Sequence, residues 1–240
     1  ELISIAELDR DKLPETQPAG TVIGKVSTTI AQTLELPAGI PIVLGSHDQC
    51  TNAIGCGVID QGQAMLSMGT FICLMPVYDT KHQTQLAVPL GINTEHHAVP
   101  DHFVSFIYNQ GGSVVKWFRD TFADAEHQCY EDEGRDIYSK LFSEIPDSPG
   151  KLMMLPYFTS TGLPDFSPHT SGVMTGLRLE TTRGEILQGI VESIMFDLKT
   201  TVEPLGEIYP ELKNIIAVGG GSKSEKWVQI CADILGSPIH

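Results

Sequence analysis

The spacing of apolar residues along the chain predicts strands and helices in alternation. The clearest helix is predicted over residues 185–202, where apolar residues recur at every fourth position and form one buried stripe. This stripe consists of Ile186, Ile190, Ile194, Leu198 and Val202. Short apolar runs predict strands at residues 40–44 (buried, between glycines), 64–75 (broken at Gly69–Thr70), 103–108, 151–158 and 215–218. Further helices are predicted at residues 49–57, 113–122 and 225–235, and a surface helix with a loop within 124–150. This alternation is typical of an α/β domain.

The composition is that of a folded chain without a basic face. The chain has 240 residues, of which 41% are apolar, which suits one large domain or two smaller ones. Acidic residues number 30 and basic residues 15, giving a formal net charge of -15. This balance argues against nucleic-acid binding. Any phosphate site must therefore be local, built from backbone N–H groups, a few Lys or Arg side chains, or a metal ion.

The cysteines and the absence of long apolar runs predict a cytoplasmic protein. The five cysteines form no C-x-x-C pair, so we interpret them as free thiols in a reducing compartment. No run of about 18 apolar residues is present, so no membrane span is expected. Zinc binding by His47, Cys50 and Cys56 is a weak alternative because the ligand spacing is poor. A metal on the adjacent pair His96–His97 is disfavoured because neighbouring strand residues face opposite sides.

A strand-end acid is the first candidate for chemistry. The sequence Gly-Ser-His-Asp-Gln at residues 45–49 follows the predicted strand 40–44. Side chains at a strand end project into the cleft above a sheet, and Asp48 could there accept the proton of an attacking hydroxyl. The alternative is that Asp48 only caps the helix that follows.

Three glycine-containing segments are candidates for phosphate binding. Gly69–Thr70 interrupts a strand pattern, where a close backbone approach to a ligand and an ordinary hairpin turn are both open. Gly111–Gly112 and Gly219–Gly221 each follow a strand and precede a helix, whose first N–H groups would be free to bind an anion. Neither cluster matches the G-x-x-x-x-G-K-[ST] phosphate loop.

These features, in this order, resemble the FGGY family of carbohydrate kinases. The resemblance runs through LPETQPAG at 13–20, residues 40–49, SMGT at 67–70, GGSVVKWFRD at 111–120, residues 172–196 and residues 218–235. It implies two ribonuclease H-like domains, as in actin and the sugar kinases, each with a mixed sheet flanked by helices. Residues 1–57 would end an incomplete amino-terminal, sugar-binding domain. Residues 58–240 would form most of the carboxy-terminal, ATP-binding domain, truncated at its end.

The resemblance also implies a role for individual residues in ATP- and Mg²⁺-dependent phosphorylation of a sugar or polyol. Asp48 would be the catalytic base, beside His47 and Gln49 as substrate-binding residues. The nucleotide would be held by Thr70, Gly111, Gly112, Lys116, Gly220, Gly221 and Ser224, and no protein metal ligand is implied. The family also implies a homodimer, with xylulose as the default substrate.

Departures from the family pattern leave alternatives open. His47 stands where many relatives have Gly, and residues 159–168 lack the Gly-Glu-Arg-x-Pro pattern, which leaves the sugar undetermined. The family's Asp-x-Gly-Thr loop has no counterpart, so we expect a fragment with little kinase activity alone. One alternative is a non-catalytic, actin-like nucleotide-binding module. Another is a metal-dependent hydrolase using His47, Asp48 and His96–His97.

Overall fold

The computed structural model describes residues 2–79, 88–160, 167–207 and 212–240. The first part of the chain forms short elements, α1 (Leu2–Ile5), β1 (Val22–Lys25), α2 (Thr28–Thr33) and β2 (Pro41–Val43), with a 3-10 turn at Arg10–Lys12. β1 and β2 pair antiparallel as a two-stranded sheet. The chain then enters α3 (Asp48–Gly55), the short helix that the sequence predicts at residues 49–57.

The strand predicted at residues 40–44 forms as β2, but the prediction that it is buried is wrong. Ile42 is 44% exposed and Val43 51%, and Val22, opposite Val43, is 57% exposed. A sheet of two strands cannot bury its own apolar face and needs a second layer to do so. The apolar residues of β2 therefore form a surface that the rest of this two-stranded sheet does not cover.

The central sheet is mixed, as predicted. It contains β3 (Gln63–Met68), β4 (Phe71–Tyr78), β7 (Ile107–Gln110) and β10 (Asn214–Val218). β3 pairs antiparallel with β4, β4 pairs antiparallel with β7, and β10 lies parallel to β3. Beyond β10, Ile239 makes a parallel bridge to Ile215. The β3–β4 hairpin confirms the prediction of two strands broken at Gly69–Thr70.

The single strand predicted at residues 103–108 is two strands in the structure. β6 (Phe103–Val104) pairs with the far end of β4 and with β5 (Glu95–His96), while β7 pairs with the near end of β4. Between them, the Phe106 N–H donates to the Asn93 side-chain oxygen at 2.8 Å. This side chain replaces a strand partner, and so it interrupts the ladder.

Two cores cover the two faces of this sheet. On one face pack α4 (Gly112–Phe122), α7 (Arg183–Val202) and α8 (Glu225–Leu235), which correspond to the helices predicted at residues 113–122, 185–202 and 225–235. On the other face packs α3, where Cys50 and Ala53 are fully buried against Met65 and Cys73. Helix α3 is therefore packed on the sheet of residues 58–240, although the sequence analysis assigns it to the preceding domain.

Helix α7 runs through the larger core. Ile190, Ile194 and Leu198 of the predicted stripe are fully buried, and a capping box of Thr182 and Glu185 begins the helix. The acidic region 124–150 forms two helices, α5 (Asp124–Asp132) and α6 (Ile137–Phe142). The strand predicted at residues 151–158 is the shorter β8 (Met153–Leu155), paired with β9 (Val173–Thr175). The segment with the departing family pattern, residues 159–168, lies partly outside the described residues.

Candidate functional site

Three glycine-containing segments meet at one end of the central sheet. They are the β3–β4 turn (Gly69–Thr70), the β7–α4 junction (Gly111–Gly112) and the segment after β10 (Gly219–Gly221), together called the glycine turns. The Gly112 N–H donates to the Gly69 carbonyl at 2.8 Å, which joins the first two turns directly. The third turn lies against the end of β3, because β10 and β3 are parallel and in register up to Val218 and Ser67.

Close backbone packing explains why glycine is needed at most of these positions. A Cβ on Gly111 would lie 2.6 Å from the Ile72 backbone nitrogen, and one on Gly112 would lie 2.6 Å from the Gly69 carbonyl oxygen. Gly219 has a φ of +95°, which favours glycine, and it lies over the backbone of Met68. The glycines thus allow the turns to approach each other, whatever else they bind.

Gly220 and Gly221 face different surroundings. A Cβ on Gly221 would lie 2.9 Å from the Met68 Cβ and 3.0 Å from the Trp227 ring, so this glycine packs inward. Gly220 is exposed and has ordinary helical dihedrals (φ -63°, ψ -40°), and a Cβ there would meet none of the described residues within 4 Å. Packing does not require glycine at position 220, and its open side is free to face a ligand.

The expectation that the helix starts offer free N–H groups is wrong at two positions of α4. The N–H groups of Gly112 and Ser113 donate to the carbonyls of Gly69 and Thr70, at 2.8 and 3.0 Å. The β3–β4 turn has therefore already used the first donors of this helix. Thr70 itself is exposed in that turn, so its hydroxyl remains at the surface of the glycine turns.

The second helix start is not a direct strand–glycine–helix junction. A 3-10 turn at Gly221–Lys223 comes between β10 and α8, and Ser224 is the N-cap residue of α8. The Ser224 hydroxyl oxygen accepts the Trp227 N–H at 3.3 Å. Ser224 thus has a structural role in starting α8, and among the described residues its hydroxyl proton has no acceptor.

Lys116 lies one turn into α4 but is directed along the helix. Its Nζ lies 2.7 Å from Asp120 Oδ2, and Arg119 bonds the same carboxylate. Hydrogen bonds from Lys116 and Arg119 lower the pKa of Asp120. Because Asp120 is one turn further along α4, this ion pair draws the ammonium group away from Gly111–Gly112.

Asp48 is the first residue of α3, and its carboxylate is open to solvent. The side chain is 84% exposed. Its Oδ1 accepts the Gln49 N–H at 2.7 Å and lies 3.2 Å from His47 Nδ1. The N-cap residue is His47, whose Nδ1 also accepts from the Gln49 N–H, at 3.3 Å. Capping of α3 therefore does not depend on Asp48 alone, which leaves most of its carboxylate available.

Contacts with the strand that leads to Gly111 place the start of α3 beside β7. The His47 ring centroid lies 4.8 Å from that of Phe106, one residue before β7. Burial, Cys73 and the carboxylates of Asp48 and Glu95 together raise the pKa of Tyr108 to about 12. Tyr108, which the sequence analysis did not single out, thus lies within electrostatic range of Asp48. In the described part of the chain, the Gln49 side-chain oxygen is buried without a hydrogen-bond partner.

The zinc hypotheses gain no support from the structure. Across the described ranges, no three His, Cys, Asp or Glu side chains come together as metal ligands. All five cysteines are free thiols, as predicted. His97 is 6% exposed, whereas its neighbour His96 is exposed, so the two side chains do face opposite sides. The described residues also include no helix that is both long and apolar enough to cross a membrane.

Comparison with known proteins identifies the class. Residues 64–240 match the FGGY family of carbohydrate kinases, C-terminal domain, and the chain therefore belongs to this family. Among curated relatives, it is 27% identical to an uncharacterized sugar kinase, YgcE, of Escherichia coli over 97% of the chain. It is 26% identical to a gluconokinase of Bacillus licheniformis over its whole length. The chain spans 47% of each of these relatives.

Solved structures confirm the ribonuclease H-like form of the fold, which the family resemblance implies. The crystal structure of a xyloylose kinase from Brucella ovis matches 99% of this chain with a TM-score of 0.81 at 23% identity. The gluconate kinase from Lactobacillus acidophilus matches 99% of the chain with a TM-score of 0.78 at 25% identity. The chain covers 47% and 46% of these two structures.

Proposed function

We propose that this chain supplies the nucleotide-binding half of an ATP-dependent carbohydrate kinase, which phosphorylates a hydroxyl group of a sugar or polyol. The observation that carries the proposal is the meeting of the glycine turns at one sheet end, with the open carboxylate of Asp48 beside the adjoining strand. Family membership supports the same reaction. In this proposal residues 1–57 belong to the sugar-binding domain and residues 58–240 to the ATP-binding domain, on whose sheet α3 packs.

The glycine turns offer a nucleoside triphosphate a hydroxyl group and closely packed backbone. The exposed Thr70 residue carries a hydroxyl that can donate to a phosphate oxygen, and the half-buried backbone of Gly112 lies beside it, with Gly111 buried beneath. The open side of Gly220, with Gly221 and Ser224 behind it, would face the α-phosphate and the nucleoside. Lys116 would join the phosphates only if it leaves Asp120.

Asp48 would act as the general base. The substrate hydroxyl oxygen forms a bond to the γ-phosphorus, the bond from that phosphorus to the bridging oxygen breaks, and Asp48 takes the hydroxyl proton. Positioning and charge stabilisation supply most of the catalysis in such a transfer. Mg²⁺ would neutralise phosphate charge, and it usually binds through phosphates and water with only one or two carboxylates. His47 and Gln49, which flank Asp48, would contact the substrate.

The sugar, the assembly and the location belong to the proposal as well. Similar proteins are named xylulose kinase, gluconokinase and autoinducer-2 kinase, so the family's chemistry is shared while its substrates differ. Xylulose is the first substrate to test, since several solved structures with this fold are xylulose kinases. We also place the protein in the cytoplasm, as a homodimer.

The test compares Asp48→Asn with Asp60→Asn, an exposed carboxylate elsewhere on the surface. In the full-length protein, a coupled ADP-release assay with a panel of sugars and polyols should show robust turnover that depends on the sugar. Asp48→Asn should lower kcat at least about 100-fold, the range of a lost general base, with ATP affinity within threefold of the wild type. Asp60→Asn should leave both unchanged. Nucleotide binding without any sugar-dependent turnover would instead favour the non-catalytic module.

A further inference from the structure

Two buried polar side chains stand directly before the Gly111–Gly112 turn. Asn109 is 3% exposed and Gln110 is 4% exposed, at strand positions that lie inside the protein. The Asn109 Nδ2 group donates to Asp197 Oδ2 in α7 at 2.5 Å. The other oxygen of Asp197 accepts the Tyr157 hydroxyl at 2.9 Å. One carboxylate therefore joins β7, α7 and the segment after β8.

Asp197 determines the orientation of the Asn109 amide. An ionised carboxylate only accepts hydrogen bonds, so it selects the Nδ2 side of the amide and turns Oδ1 the other way. Asn109 Oδ1 is buried and finds no hydrogen-bond partner within the described residues. A hydrogen bond to a charged group is stronger than one between neutral groups. The bond to Asp197 is thus the polar contact that fixes this side chain.

The position of Asn109 is passed on to the glycine turns through the backbone. Asn109 pairs with Ile72 across β4, and a Cβ on Gly111 would lie 2.6 Å from the Ile72 nitrogen, so the turn is already in close contact there. On the next residue, Gln110 Nε2 donates to the Ser160 carbonyl at 3.1 Å. The last two residues of β7 are therefore held by hydrogen bonds to groups outside the sheet.

We infer that Asp197 is a positioning residue for phosphoryl transfer, which acts by holding Asn109 and thereby fixing the Gly111–Gly112 turn against Gly69–Thr70. The inference rests on the proposed function, since it assigns the braced turn to the phosphates. Asp197 would act through Asn109 and not by contact with the substrate. A displacement of about 1 Å in a group that positions substrate can reduce the rate about 100-fold.

The experiment uses three variants of the full-length protein and one control. Asp197→Leu removes the acceptor, and Asn109→Asp places two carboxylates against each other. The double variant N109D/D197N restores one donor and one acceptor with their roles reversed. Thr200→Ala is the control, because the Thr200 hydroxyl lies on α7 and donates to the Asp197 backbone carbonyl, not to its carboxylate. Amide hydrogen exchange is measured on peptides that contain residues 110–113, together with kcat, the KM for ATP, and thermal unfolding.

In each single variant, the amide hydrogens of residues 110–113 should exchange at least tenfold faster than in the wild type. The kcat per folded molecule should fall at least tenfold, while the KM for ATP stays within threefold. The double variant should return both quantities to within threefold, and Thr200→Ala should change neither. Unchanged exchange in folded single variants, or a folded double variant that exchanges as fast as Asn109→Asp, overturns the inference. So does a kcat loss that disappears after correction for the folded fraction.

If the wild type has no kinase activity, the proposed function fails and the assignment of the turn to phosphates fails with it. The exchange result then still decides whether Asp197 fixes the turn. If the wild type is active and the singles keep full kcat, only the positioning role fails.

Discussion

Replacing Gly220 separates a ligand contact from a packing contact. Gly220 has helical dihedrals, and no atom in the described part of the chain lies within 4 Å of where its Cβ would stand. Alanine at a compatible glycine position usually stabilises a protein by about 0.4–1 kcal/mol, because the unfolded chain loses freedom. Gly220→Ala should therefore raise the thermal unfolding temperature slightly or leave it unchanged in the full-length protein.

The expected effect of Gly220→Ala on nucleotide binding is much larger than its effect on stability. If a phosphate or the ribose lies on the open side of Gly220, the added methyl group stands between ligand and backbone. Loss of one hydrogen bond to a charged group corresponds to about 1.5–3 kcal/mol, or about a 10- to 150-fold weaker Kd. Isothermal titration calorimetry with ADP and ATP measures this change directly.

Gly221→Ala is the matched control. Its Cβ would lie 2.9 Å from the Met68 Cβ and 3.0 Å from the Trp227 ring, so the substitution overpacks the core. Overpacking of this kind costs about 1–3 kcal/mol, and this variant should unfold at a lower temperature. The reasoning is refuted if Gly220→Ala and Gly220→Val both bind nucleotide within twofold of the wild type.

Two further predictions concern stability and use urea unfolding. Gly184→Ala should lower the free energy of unfolding by about 1–3 kcal/mol, because the added Cβ would collide with the Glu144 carbonyl. Gly55→Ala, whose Cβ would have no described atom within 4 Å, should not destabilise the protein, and equal losses in both variants would contradict the packing explanation. Burial, with His102 nearby, lowers the pKa of His97. As the pH falls, His97 is therefore protonated in the unfolded chain before it is protonated in the folded protein. The free energy of unfolding should then decrease as the pH drops below about 6.5. His97→Gln should reduce that fall between pH 7.5 and 5.5, and an identical pH dependence would exclude His97 as its source.

Elements encoded by local sequence were predictable, while those set by distant partners were not. The α7 stripe repeats at helical spacing, so its helix was found within two residues of its observed start. The break between β6 and β7 depends on the Asn93 side chain, 13 residues away, which accepts the Phe106 N–H. No feature of residues 103–108 alone reveals that partner. Exposure of β2 was missed for the same reason, because burial depends on a second layer.

The sequence predicted which residues belong to the candidate site better than it predicted what each of them contacts. The glycine turns do meet at one end of the sheet, but the N–H groups of Gly112 and Ser113 are taken by the β3–β4 turn. Sequence cannot show which carbonyl lies opposite a helix start. Asp197 was missed because it lies 88 residues from Asn109, and on α7 it reads as an ordinary polar position between apolar ones.

The packing of α3 bears on how the proposed kinase would close on its substrates. The buried face of α3, with Cys50 and Ala53, belongs to the same core as Met65 in β3. Asp48 begins that helix. The proposed base therefore packs with the central sheet, which holds the glycine turns, and not with the exposed β1–β2 sheet before it. Movement of a sugar-binding domain would then change the distance from the sugar hydroxyl to Asp48, while the distance from Asp48 to the phosphates stays constant. Approach of the sugar would then be the step that completes the site.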